Sequence, residues 1–86
     1  MRVERTFRGI SVRLARHYLT NLGGDPVADD RVEGEWWTAR LSSSTAEVGP
    51  TLTLTEVTVV FEGDRDDGSL EPLIERFAQK AMRAGG

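Results

Sequence analysis

Val3, Arg5 and Phe7 alternate with Glu4, Thr6 and Arg8, which predicts a strand over Arg2–Arg8. Gly9 ends it, and Ser11 has the side chain of a helix N-cap. Leu14, Ala15, Tyr18, Leu19 and Leu22 then recur at helical spacing, and Gly23-Gly24 stops that helix. Arg13, Arg16, His17 and Thr20 fall on its opposite, wet face. Asp25-Pro26 opens what reads as a loop through Asp29-Asp30.

The middle of the chain is β in character. Val32 begins a short run broken at Gly34. Trp37, Ala39 and Leu41 then alternate with Thr38, Arg40 and Ser42, predicting a half-buried strand over Trp36–Ser44. Glu47-Val48-Gly49-Pro50 is a turn, and Thr51–Phe61 is rich in β-branched residues. The apolar parity slips within that second run. Leu52 and Leu54 share one phase, while Val57, Val59 and Phe61 take the other, so a bulge or sharp bend is expected near Thr55-Glu56. After the acidic stretch Gly63–Gly68, Ser69 can cap a second helix with Pro72 in its first turn. Its stripe is Leu70, Leu73, Ile74, Phe77, Ala78 and Ala81. Early glutamates and late Lys80 and Arg83 suit the helix dipole, and the helix should reach about Met82 or Arg83.

The predicted order is β-α-β-β-β-α, with room for one further strand. Each helix has a single apolar stripe, so both must cover one face of a curved antiparallel sheet, an α+β class. The other face would carry Thr38, Arg40, Ser42, Thr51, Thr53 and Thr58. The length of 86 residues allows one small domain. It is read as residues 1–84, with Gly85-Gly86 as a diglycine tail.

Composition narrows the chemistry. The chain has no cysteine, which excludes disulfides, iron–sulfur ligation, thiolate zinc sites and cysteine nucleophiles. No apolar run is long enough to span a membrane, there is no signal-peptide core, and a cytoplasmic protein is expected. The net charge of −3 is uneven. Residues 1–22 set five arginines against one glutamate, while residues 23–68 set eleven acids against three arginines. Neutralisation across the sheet is the simplest use of that polarity. The basic residues are ten arginines and one lysine, a bias of GC-rich, salt-loving microbes.

Candidate catalytic groups are few. His17 is the sole histidine and lies on a wet helix face, and no nucleophile elbow, zinc motif or phosphate loop occurs, so no enzymatic activity is expected. Asp64, Asp66 and Asp67 alternate as calcium ligands can. An EF-hand register from Asp64, however, puts Gly68 fifth and Ser69 sixth, where glycine belongs. A solvated acidic loop is the better reading, and no metal or cofactor is expected. Nucleic-acid binding would rest on the N-terminal arginines, against an acidic chain with no alternating aromatics. Adjacent Trp36 and Trp37 must face opposite ways on a strand. One belongs to the core, and the other is exposed or covered by a loop; if exposed, it is with Arg13 and Arg16 a candidate protein-partner surface. A threonine-rich strand edge leaves a homodimer by strand addition open.

Gly85-Gly86 admits two readings. Glycine is common just past a helix end. A free diglycine carboxylate is also the handle that an ATP-dependent adenylating enzyme threads through a narrow channel, where a Cβ would clash. In that reading Gly86 becomes a thiocarboxylate or joins a lysine. Ubiquitin-like β-grasp carriers end this way, but they open with a β-hairpin, unlike the order read above.

The stretch Val48-Gly49-Pro50-Thr51-Leu52-Thr53-Leu54-Thr55-Glu56-Val57-Thr58-Val59-Val60-Phe61-Glu62-Gly63-Asp64, with the close Lys80-Ala81-Met82-Arg83-Ala84-Gly85-Gly86, resembles a family of small haloarchaeal proteins. These are similar to the C-terminal domain of MoaD-related proteins, in which a sulfur carrier of the molybdopterin-synthase type precedes a second domain. The resemblance covers nearly the whole chain. It implies a TATA-binding-protein-like, helix-grip arrangement (β-α-β(3–4)-α) and an association with sulfur-carrier or molybdenum-cofactor proteins.

Overall fold

A computed structural model describes residues 1–64 and 68–85. The elements run β1 (Arg2–Arg8), α1 (Val12–Asn21), β2 (Asp25–Ala28), β3 (Arg31–Glu33), β4 (Trp37–Glu47), β5 (Thr53–Gly63) and α2 (Leu70–Gly85). They build one antiparallel sheet in the order β1-β5-β4-β3-β2. Ser11 caps α1, its Oγ accepting from the Leu14 amide at 3.1 Å. Gly23, at φ 101°, leaves the helix in the left-handed region that a side chain disfavours.

Both helices lie on one face. α1 packs over β4, β3 and β2, and α2 over β5 and β1. The core between them contains Ala15, Leu19, Val32, Trp37, Ala39, Leu41, Val57, Val59, Phe61, Leu70 and Phe77. Phe77 joins four elements, with ring centroids 4.9 Å from Phe7, 5.8 Å from Phe61 and 6.2 Å from Tyr18. These edge-on contacts are the arrangement that aromatic quadrupoles favour.

Three expectations need correction. The stretch from Asp25 is not a loop but strand β2, which pairs with β3 as a hairpin; its register shifts between Pro26 and Ala28. β5 has no bulge near Thr55-Glu56. Its register against β4 runs unbroken from Trp37↔Gly63 to Glu47↔Thr53. The parity slip has another cause. The hairpin is 11 residues on each side, whereas β3 is 3 and β1 is 7, so its outer half projects beyond the helices. Where no helix covers the ribbon, Leu54 and its cross-strand partner Ala46 sit on the face away from the helices. Exposed Leu52 and Val48 continue that stripe. Third, and for the same reason, Thr53 lies on the helix-side parity, and Thr51 lies outside the strand. Thr38, Arg40, Ser42 and Thr58 do occupy the open face.

The ribbon stretches the molecule to 44 × 24 × 20 Å. α2 starts beside Gly63, where an added Cβ would lie 3.0 Å from Leu70, and returns past Phe7 and Val57 toward the ribbon. Its C-terminal end therefore emerges on the hairpin side. It extends through Gly85, beyond the expected stop at Met82 or Arg83.

Candidate functional site

Trp37 is the buried member of the tryptophan pair, 6% exposed. Its indole is held between two glycines. A Cβ on Gly24 would lie 2.7 Å from its outer ring, and one on Gly34 would overlap the pyrrole edge. The Gly34 amide donates to the Trp37 carbonyl at 2.8 Å, closing the tight turn that leads into β4. Trp36 lies in the bend just before β4 and is half-buried, packed against the core. Its carbonyl accepts from the Asp64 amide at 3.0 Å.

Trp36 lines a depression of about 540 Å³ at the end of the sheet away from the ribbon. Arg2, Glu33, Glu35, Glu62 and Asp64 surround it. Four carboxylates and one guanidinium line it, Glu33 being paired with Arg31 at 2.8 Å, and the Met1 amine donates to the Gly63 carbonyl at 3.0 Å. A smaller depression of about 310 Å³ separates β1 from α2 and brings Arg5 near Glu71 and Glu75.

The structure does not gather the predicted partner surface into one place. Neither Arg13 nor Arg16 lines the Trp36 depression. Arg16 is engaged internally, donating to both the Asp29 carbonyl and carboxylate at 3.2 Å, which ties α1 to the β2–β3 turn. Arg13 is exposed one turn earlier on α1. His17 is exposed, with Nε2 3.4 Å from the Asn21 amide nitrogen. Among the described residues no group of acids or histidine is placed to hold a metal; Asp66 and Asp67 lie outside them. Gly85 is the last residue of α2, and Gly86 lies outside the described residues.

A feature the sequence reading did not find is the outer edge of β4. The amide of Gly9 bonds Thr55 and that of Gly63 bonds Met1, so odd-numbered residues of β5 point their backbone groups at β1. Even-numbered residues of β5 then serve β4, and the odd-numbered residues of β4 point outward. Leu41 uses its outward amide on the Asp30 carbonyl at 2.7 Å, the last contact with β3. Ser43, Thr45 and Glu47 come after β3 has ended, so their N–H and C=O groups face solvent. The length mismatch between β3 and β4 was the available signal, and it was hidden because β2 and β3 read as mostly loop.

An α+β protein with two helices on an open antiparallel sheet is thus defined, with polar surfaces and a projecting ribbon. Residues 3–86 match the profile of the archaeal MoaD-like proteins, and the chain belongs to that family. A search of curated proteins returned no significant match. No helix among the described residues is long and apolar enough to cross a membrane.

Proposed function

We propose that the chain is a non-enzymatic, cytoplasmic binding module that docks a protein partner within a sulfur-carrier or molybdenum-cofactor system. The continuity of α2 through Gly85 supports this reading best. Ala81 is buried in the core, so the helix is anchored one turn before the diglycine. The first glycine then belongs to a helix end, where its lack of a side chain is a local convenience. The open antiparallel sheet also differs from a β-grasp, whose carboxyl tail follows a strand. The TATA-binding-protein-like arrangement that the resemblance implies belongs to the same proposal and carries no nucleic-acid role.

Family membership favours a second reading, in which the chain is itself a carrier. The Gly86 carboxylate would attack the α-phosphate of ATP on an adenylating enzyme and release pyrophosphate. A sulfur nucleophile would then displace AMP to leave a thiocarboxylate. Met82 is 73% exposed, so the last turn of α2 has little burial to lose if it unwinds toward such an enzyme.

Deleting Gly85-Gly86 separates the two. The binding-module reading expects the partners retained on the immobilised protein from host extract to be unchanged. The midpoint of thermal unfolding should move by only a degree or two, since a frayed helix end is worth a few tenths of a kcal/mol. Loss of every retained partner at unchanged stability would favour the carrier.

A further inference from the structure

We infer that the outer edge of β4, at Ser43, Thr45 and Glu47, is a docking edge for an extended segment of a partner protein. The partner would add as an antiparallel strand carrying cationic residues at its ends.

The sheet has other edges, and each is defended. β1 turns the backbone groups of Arg2, Glu4, Thr6 and Arg8 outward, and the charged side chains of Arg2, Glu4 and Arg8 discourage strand addition. β2 carries Pro26 and an irregular register, which break a regular ladder. The run Ser42-Ser43-Ser44-Thr45-Ala46 has neither charge nor proline, and its pairing with β5 is regular throughout. All five residues except Ala46 are exposed. The free edge from Ser43 to Glu47 spans about 17 Å, enough for a short strand. Three outward N–H groups and three outward C=O groups alternate along it, which is the chemistry of β-augmentation.

Charge selects the occupant. The edge is bounded at the β3 end by Asp30, its neighbour Asp29 being paired with Arg16, and by Glu47 at the tip. A second copy pairing with itself about a two-fold axis would centre on residue 44 or 45. Either register brings Glu47 of one copy within about two residue steps, roughly 7 Å, of Asp30 in the other. A foreign strand with a cation at each end meets both acidic boundaries instead. This proposal rests on reading the chain as a binding module and names the place where that module binds.

The test is a titration of the isotope-labelled full chain, followed by amide shifts and hydrogen exchange. The probe is the end-blocked peptide Lys-Val-Thr-Val-Thr-Lys, with Glu-Val-Thr-Val-Thr-Glu as control. The amides of Ser43, Thr45 and Glu47 should shift and gain protection with the lysine peptide, and bind the glutamate peptide at least about tenfold more weakly. The amides of Arg2, Glu4, Thr6 and Arg8 should stay unmoved. Thr45→Pro removes one outward N–H while sparing the inward ladder to β5, and should weaken the peptide by about tenfold or more. The wild-type amide pattern decides the matter even if that variant unfolds. Shifts at β1 instead, equal binding of both peptides, or no shift at all would overturn the inference. So would protection of Ser43 and Thr45 that rises with protein concentration alone, which would make the occupant a second copy. A failed edge with partners still retained by the diglycine deletion sinks the edge alone. A thiocarboxylate at Gly86 sinks the binding-module reading.

Discussion

The best-determined single residue is Trp37, because two glycines from different parts of the chain make room for it. Gly24 follows α1 and Gly34 precedes β4, and each presents bare backbone to the indole. Neither can accept a Cβ without moving the ring. Gly34→Ala should therefore cost about 1–3 kcal/mol, the usual penalty of overpacking a filled core, read from the urea midpoint at unchanged slope. An unaltered midpoint would mean the indole can shift freely. Adjacency of Trp36 and Trp37 was enough to expect only one of them deep in the core, although β4 begins at Trp37 and Trp36 sits in the bend before it. It left open whether the other would be exposed or covered, because the residues around Trp36 come from three separate segments. Arg13 and Arg16 lie apart from the Trp36 depression. Wet-face periodicity locates an arginine on its helix but says nothing of Asp29, which captures Arg16 from the β2–β3 turn.

Among the elements, the β4–β5 ribbon departs furthest from expectation. Its sequence shows both halves of its life. Val57, Val59 and Phe61 keep one parity under the helices, and Leu52 and Leu54 take the other where cover ends. A parity slip within one strand can mean a bulge or a change of surroundings, and a local pattern cannot distinguish them. The register shows the second. Leu52→Thr should then alter stability by no more than about 0.5 kcal/mol, as at exposed sites generally. Phe77→Ala, at the junction of four rings, should cost about 3–5 kcal/mol. Chemical denaturation of the two variants checks the contrast, and comparable losses would contradict an uncovered ribbon. The helices were legible almost completely, since Ser11, Gly23 and two apolar stripes are local signals. β2 was not, because Asp25-Pro26 is turn chemistry by composition and becomes strand only through its pairing with β3.

At the scale of the whole molecule, part of the uneven charge is neutralised within the fold. Arg8 reaches Glu56 across β1 and β5 at 2.9 Å, and Arg16 reaches Asp29 at 3.2 Å. These exposed pairs hold the basic N-terminal block against the acidic middle at a gain of no more than about 1 kcal/mol each. Glu35, Glu62 and Asp64 line the Trp36 depression, and Asp30 and Glu47 flank the free edge of β4. Fold class was readable from element order and helix stripes, whereas the functional surface was not. Backbone groups at a strand edge leave no mark in the side-chain sequence unless the lengths of neighbouring strands are known.

The central claim is that this member of the archaeal MoaD-like family docks a partner through its surface and does not carry sulfur on its diglycine. The most direct measurement is the intact mass of the untagged protein from its native host, at a resolution that separates sulfur-for-oxygen exchange from methionine oxidation. A tryptic search for lysines bearing Ala-Gly-Gly, the remnant left by cleavage after Arg83, accompanies it. The account predicts an unmodified C-terminus and no remnant across growth conditions. A thiocarboxylate at Gly86, or a single lysine joined to it, would contradict the account and make the diglycine the site.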